Sequence, residues 1–386
     1  MKYMDMGMSP YKDVKKAKRK KLIKFGVAAL LIGVVLYTSY LFYWPISQLV
    51  RELINHPGIV LSLIRDPSSD LDSTNGRTNV LLLGVDKRAG SSYTYKDSNG
   101  VEHKNGFLTD TIIILSVGTG TKDAVMVSIP RDTWVDVPGW DGVSASSGKI
   151  NSIYSLGNTQ GYPGGGLALA EEVVSSKLGL PIHYAVRIDF EGFKKSIDTL
   201  GGVEVGVDKA FDDYQYPISG KENSVCPNRS FSCRYEHAHF EKGLQLMSGD
   251  KALQYVRSRT GTNGEGSDFA RAARQQKVLI AAKSKALSLG NLLSPGKITN
   301  LFKEFGESVE TDFKLTAYPA TFNLLKEVNT DTTKKLVLDS TEEGMLFTPN
   351  PSQYGGAYVL LPRNNSWKKI QERVDSLLFP KVEDPQ

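Results

Sequence analysis

Three short apolar runs constrain this chain most: Asn79–Val85 (NVLLLGV), Ile112–Val117 (IIILSV) and Ala124–Ile129 (AVMVSI). Each is continuous rather than alternating and is bounded by turn residues, which reads as a strand buried on both faces. Charged residues adjoin all three. Asp86, Lys87 and Arg88 follow the first run, Asp110 precedes the second, and Arg131 and Asp132 follow the third. One such residue would be an ordinary strand-end turn. Their recurrence points to a site, because loops from several strands converge at strand ends in α/β sheets.

The rest of the body continues an α/β pattern. Trp134 to Gly148 reads as an irregular loop ending at Lys149-Ile150-Asn151. Helices are expected over Leu167–Leu178 (closed by Gly179), Phe190–Leu200, Ile298–Phe305, Leu315–Val328 and Trp367–Leu378. Strands are expected over Ile182–Ile188, Val203–Val207, Lys335–Leu338 and Ala357–Leu361. The run Gly161–Gly166 lacks the Lys-Ser/Thr of a phosphate-binding P-loop and is not read as a nucleotide site. Residues 208–240 look like an insertion rich in aromatics and aspartate. A helix with Ser248 as N-cap then leads to the arginine-bearing stretch Arg257–Gln276.

That stretch holds Arg257, Arg259, Arg271 and Arg274. Arg257 and Arg259 have strand-like spacing, which puts them on one side. After a glycine-rich loop, Ser267 or Asp268 is a credible helix N-cap. Arg271, Arg274 and Gln275 then share a helix face. Guanidinium forks match phosphate oxygens two at a time. A solvated basic face is the plainer alternative.

The N-terminal region differs in kind. Phe25–Trp44 is twenty residues without a charge, enough for a helix to cross the hydrocarbon of a bilayer, with Tyr37, Tyr40, Tyr43 and Trp44 at its far end. A cleaved signal peptide would have a shorter core and a small-residue cleavage site, so an uncleaved anchor is favoured. Nine basic residues precede it against Asp5 and Asp13, which places that end in the cytoplasm and the body outside. The expected organisation is a tail (1–24), a transmembrane helix (25–44), a juxtamembrane spacer (45–77) and an extracytoplasmic domain (78–380) with its insertion at about 208–240. The tail accounts for the formal charge of +5; the remainder has 38 basic and 40 acidic residues. Bulk charge therefore gives no reason to expect nucleic acid as a partner.

Cys226 and Cys233 lie in the insertion, with His237 and His239 just beyond. In an oxidising compartment a disulfide is the default. A C-x6-C-x3-H-x-H zinc site is conceivable, although the spacing fits no common zinc pattern. The five histidines avoid the strand ends except His103, so imidazole acid/base chemistry is weakly supported. The body offers carboxylates and guanidiniums. Asp86 and Asp110 suit a hard divalent cation, and Arg88, Arg131, Lys149, Arg257, Arg259, Arg271 and Arg274 suit a diphosphate. Such a site fits phosphoryl transfer, where catalysis is mostly positioning and charge stabilisation.

The succession LLLGVDKR, TDT, SIPRDTWVDVPG, KINSIYSLG, YAVRIDFEGF, LGGVEV and YVRSRT…SDFARAARQQ resembles the LytR-CpsA-Psr family from Asn79 to about Lys277. The resemblance implies an α-β-α sandwich around a mixed sheet. It also implies magnesium-dependent transfer of a glycopolymer from a polyprenyl-diphosphate carrier onto peptidoglycan, at the membrane. Asp86 and Asp110 match the metal-associated aspartates. Arg88, Arg131, Arg257, Arg259, Arg271, Arg274 and Gln275 match the diphosphate-binding positions, with Lys149 in the KIN motif. Asp132 and Asp268 are candidate bases. The chain departs from the family at Leu108-Thr109-Asp110-Thr111, where Arg-Ser-Asp-Thr is common. A lipid-phosphate receptor without turnover and a pyrophosphatase using water are alternatives.

Overall fold

The apolar run from Asn79 forms the centre of the main sheet. The computed structural model describes residues 71–87, 94–96, 102–104, 106–221, 224–227, 231–288, 305–314, 317–329 and 332–380, all within the unit Ser62–Gln386. The expected membrane span, the tail, nearly all of the spacer, Arg88 and residues 298–304 lie outside the described residues. Among the described residues, no helix is long and apolar enough to cross a membrane.

The strands among the described residues are β1 (Arg77–Val85), β2 (Thr94–Lys96), β3 (Glu102–Lys104), β4 (Thr109–Gly118), β5 (Ala124–Ser128), β6 (Trp134–Val137), β7 (Ser146–Lys149), β8 (Tyr184–Asp189), β9 (Val203–Val207), β10 (Phe211–Pro217), β11 (Tyr235–Phe240), β12 (Gly243–Met247), β13 (Val309–Thr311), β14 (Lys334–Val337), β15 (Leu346–Phe347) and β16 (Leu361–Pro362). The helices are α1 (Ile153–Thr159), α2 (Gly165–Leu178), α3 (Phe190–Thr199), α4 (Gly249–Arg257), α5 (Asp268–Ser288), α6 (Tyr318–Glu327) and α7 (Lys368–Leu378).

The main sheet has the order β13-β8-β1-β4-β5-β14. It is mixed: β1 runs antiparallel to β4 and parallel to β8, and β14 runs parallel to β5. Period-two alternation divides its side chains between two cores. Leu81, Leu83, Ile112, Ile114, Val125 and Val127 pack with residues of α1, α2 and α7. The opposite face packs Val117, Ala124 and Tyr184 with Ala320 and Leu324 of α6. Helices on both faces explain why the strand sequences are apolar without a break. A third core joins β9, β10, β11, α3, α4 and α5, and α5 is docked to the main sheet by Gln276. The Gln276 amide donates to Ser128 Oγ (2.8 Å) and to the Leu336 carbonyl (3.3 Å).

Three expectations are corrected. The strand expected over Ala357–Leu361 is reduced to Leu361–Pro362, paired with Leu346–Phe347. Trp134–Gly148 contains a hairpin, β6 with β7, because Val135 and Val137 turn inward while Asp136 is exposed. Arg257 is not on a strand. It is the last residue of α4, whose Ala252, Leu253, Tyr255 and Val256 are buried, and Ser258 then turns the chain into an extended conformation. The insertion-like stretch forms the β10–β11 hairpin, and Cys226 and Cys233 in its connection are disulfide-bonded.

At the site end of β1 and β4 the register shifts: Gly84 pairs with Thr111 and Val85 with Thr109, so Asp110 is the extra residue of a bulge. Gly84 permits this close approach, since a Cβ there would lie 2.8 Å from Thr111 Cβ. We expect Gly84→Ala to destabilise the fold by roughly 1–3 kcal/mol, read as a lower denaturation midpoint with an unchanged slope.

Candidate active site

A bulge re-aims a side chain, and here it delivers Asp110 to guanidiniums from two separate elements. Arg131, in the turn after β5, donates from Nη1 to Asp110 Oδ1 (2.8 Å). Arg259, just beyond α4, donates from Nη2 to Asp110 Oδ2 in a short contact. Asp132 lies 3.4 Å from Arg131 Nε and accepts from Lys149 Nζ (2.6 Å) at the end of β7. Asp268, at the start of α5, lies 2.6 Å from Arg271 Nη1 and 3.9 Å from Arg131 Nε. Arg257 Nη2 lies 4.0 Å from Asp86 Oδ1, and its guanidinium carbon is 3.9 Å from the centre of the Phe190 ring. Strand ends and a helix terminus thus bring Asp110, Arg131, Asp132, Lys149, Arg259, Asp268 and Arg271 into one network of alternating charge, while Asp86 and Arg257 form a separate pair.

Burial sets its electrostatics. Burial raises the Asp110 carboxyl, but the charges of Arg259 and Arg131 outweigh it and hold the group below its ordinary value. Burial lowers Arg131, and Asp110 more than compensates, so Arg131 is raised. Arg271 is only 4% exposed. Burial, opposed by Asp268 and reinforced by the charges of Arg259 and Arg131, pushes it down to about 10. Arg131 Nε and Arg271 Nη1 are buried and make no hydrogen bond. Nearby carboxylate oxygens lie within ion-pair distance of both and balance their charge. A buried donor without an acceptor is costly. An anion with several oxygens could satisfy both at once.

Ser267, not Asp268, caps α5: its Oγ accepts from the Ala270 N–H at 3.0 Å. The Asp268 carboxylate is left to the arginines. Arg274 does not join the network. Its guanidinium is buried and donates to the Tyr255 and Ser258 carbonyls and to Glu265. It braces α4, the intervening loop and α5, so the shared helix face expected for Arg271 and Arg274 divides between ligand side and strut. Gln275 donates to the Val256 carbonyl (3.4 Å), directly before Arg257.

Sequence reasoning missed Asp213. It is 1% exposed and accepts from Ser258 Oγ, Thr260 Oγ1 and the backbone N–H groups of Gln215, Arg259 and Thr260. It thereby fixes the backbone that carries Arg259. The available signal was a doublet, Asp212-Asp213, in a strand otherwise rich in aromatics.

Asp86 and Asp110 offer hard oxygen donors. Among the described residues neither belongs to a group of three or more metal-binding side chains. That donor set fits magnesium, which takes one or two carboxylates and completes its shell with water and phosphate oxygens.

The LytR_cpsA_psr family model matches residues 62–375. This chain belongs to the LytR-CpsA-Psr family. Among relatives, the polyisoprenyl-teichoic acid–peptidoglycan teichoic acid transferase TagU of Oceanobacillus iheyensis is 28% identical over 309 residues, covering 78% of this chain and 80% of its own. TagU of Bacillus licheniformis is 29% identical, covering 77% and 80%. The fold is shared with B. subtilis TagV (TM-score 0.53, 24% identity, 79% of this chain and 98% of that one). It is also shared with gbs0355 from Streptococcus agalactiae (TM-score 0.57, 21% identity, 80% and 90%). Leu108, where LytR-CpsA-Psr members commonly carry arginine, is 48% exposed, and its carbonyl accepts from the Asp86 N–H.

The lowered Asp110 pKa has a defined sign. Its pairing stabilises the fold fully above the unfolded carboxylate range, and that contribution is lost as pH falls through the lower folded value. The stability gap between wild type and Asp110→Asn should therefore be widest near neutrality and shrink as denaturation is repeated below about pH 4.

Proposed function

We propose that this chain is a membrane-anchored, magnesium-dependent phosphotransferase that moves a glycopolymer from a polyprenyl-diphosphate carrier onto peptidoglycan, making a phosphodiester. One observation carries this reading: Arg131, Arg259 and Arg271 gather around Asp110 and Asp268, and Arg131 Nε and Arg271 Nη1 are buried without a hydrogen bond of their own. The names of relatives as teichoic acid transferases, and a solved TagT bound to LIIa-WTA, support a glycopolymer of the teichoic acid kind.

In this mechanism Arg131, Arg259 and Arg271 grip diphosphate oxygens, and Arg257 and Lys149 flank them. An acceptor hydroxyl oxygen bonds to the glycan-side phosphorus while the bond from that phosphorus to the bridging oxygen breaks. Polyprenyl phosphate departs, and the guanidiniums neutralise the charge that develops on it. The hydroxyl proton passes to a carboxylate. Asp268, with its side chain 33% exposed, is more accessible than Asp132, which is 10% exposed and held by Lys149. Asp86 and Asp110 would hold magnesium, which would add its positive charge to that of the guanidiniums around the diphosphate.

Two cavities support the substrate class. One of about 240 Å³ lies between the sheet and α6, lined by Val80, Leu82, Leu115, Val117, Phe313 and Leu324. It suits an apolar chain. Thr78, Val80, Leu82 and Gly84 alternate along one face of β1 toward Asp86, so this surface leads to the charged strand ends. The second, of about 570 Å³, opens at Arg257 beside Phe190, Tyr216, Glu236, Asp250 and Gln254. Aromatic faces with carboxylate acceptors suit sugar rings. The uncharged run 25–44 supplies the anchor, with the N-terminus cytoplasmic and the domain from residue 78 outside, where a disulfide persists.

The test uses the full chain in detergent with magnesium, a lipid-diphosphate-linked glycan and a peptidoglycan oligomer. Glycan should become covalently attached as polyprenyl phosphate appears. Arg259→Ala and Asp86→Ala should each lower the rate at least about 100-fold while remaining folded. Normal transfer by both variants would sink the site assignment. Binding without turnover would instead make the protein a receptor, and lipid phosphate release without attachment would make it a pyrophosphatase.

A further inference from the structure

The disulfide removes both cysteines from any metal site, yet the two histidines beyond them are not left alone. His237 and His239 are two apart on β11, so both project from one face of the hairpin. Asp212 on β10 is the cross-strand partner of His239. His237 Nε2 and His239 Nδ1 each lie 2.7 Å from the same oxygen, Asp212 Oδ1. The three donor atoms lie within 4.8 Å of one another. All three side chains reach solvent, at 48%, 44% and 29% exposure.

We propose that Asp212, His237 and His239 form a binding site for a divalent transition-metal ion of the zinc class. Two imidazole nitrogens with one carboxylate are a zinc-type donor set, and three protein ligands leave a fourth position for water or another ligand. Metal-binding histidines usually have their other ring nitrogen held, which fixes the tautomer and ring plane. Here His239 Nε2 lies 3.0 Å from Glu241 Oε1, leaving Nδ1 directed at the cluster. The His237 ring is stacked on Tyr214, with centroids 4.4 Å apart and planes 8° from parallel, which orients Nε2. Tetrahedral bonds of about 2.0–2.1 Å put ligand atoms roughly 3.3 Å apart. Each histidine nitrogen therefore needs to open from the Asp212 oxygen by about half an ångström, which exposed side chains accommodate.

The site lies behind the arginine loop rather than in it. The Asp212 N–H donates to Thr262 Oγ1 and its carbonyl accepts from the Thr262 N–H, both at 2.9 Å. The adjacent Asp213 holds the Arg259 backbone. An ion on Asp212 would fasten β10 to β11 at the root of the loop that carries Arg259. This inference does not depend on the proposed phosphotransfer.

Equilibrium dialysis of the full chain in detergent against zinc, with cobalt as a spectroscopic probe, tests it. Wild type should hold one more equivalent of zinc than the His237→Ala/His239→Ala variant and should give the intense visible absorption of tetrahedral cobalt. That absorption should vanish in the double variant and in Asp212→Asn, which keeps the backbone bonds to Thr262. Glu241→Ala should weaken zinc binding by roughly 10-fold. Equal zinc stoichiometry in wild type and double variant would overturn the proposal. So would loss of the cobalt band in Asp86→Asn/Asp110→Asn with its retention in Asp212→Asn. Thermal melts of each variant confirm that a lost equivalent is not a lost fold.

Discussion

Holding several guanidinium groups close together is the constraint on which this structure depends. Arg131, Arg259 and Arg271 repel one another, and burial makes the repulsion stronger because the surroundings screen it less. The fold meets this with carboxylates interleaved between them. Asp110 takes one oxygen to Arg131 and the other to Arg259, while Asp268 sits beside Arg271 and within reach of Arg131. The compensation is incomplete, as the depressed Arg271 and the two unmatched N–H donors record. A site balanced in this way is stable enough to fold, and the proposed diphosphate would relieve what remains unmatched.

The supporting residues divide the work. Arg274 and Asp213 are as charged as the residues facing the site, but their bonding capacity is turned to backbone: carbonyls for Arg274, N–H groups for Asp213. Together they fix the loop between α4 and α5, where Arg259 stands. Ser267 performs the capping that Asp268 was equally suited to perform, and so keeps a carboxylate available beside Arg271.

Legibility in the sequence followed physical range. The apolar runs at 79–85, 112–117 and 124–129 announced buried strands because the signal is local and continuous. The charges at their ends announced a site for the same reason, and the order of short motifs announced the family. Residues whose role is set by distant partners stayed hidden. Arg274 looks like Arg271 in sequence, because periodicity assigns both to a face without saying which carbonyls lie opposite. Arg257 and Arg259 at alternate positions suggested a strand, but the buried residues of α4 extend that helix by their own periodicity. Asp213 could not be told from Asp212, although one is buried against the arginine loop and the other faces solvent with two histidines.

Gln276 gives α5 a property that its arginines alone would not have. Its amide reaches both β5, through Ser128, and β14, through the Leu336 carbonyl. A helix packed only by apolar contacts can roll about its axis, since dispersion is nearly indifferent to small rotations. A polar tooth engaged in two strands of the sheet removes that freedom, as a key fixes a shaft in its hub. The azimuth of Arg271, little more than one turn away, is then set by a hydrogen bond in the interior rather than by the ligand. The direction in which Arg271 presents its guanidinium is thus written partly in a buried serine on another element of the fold.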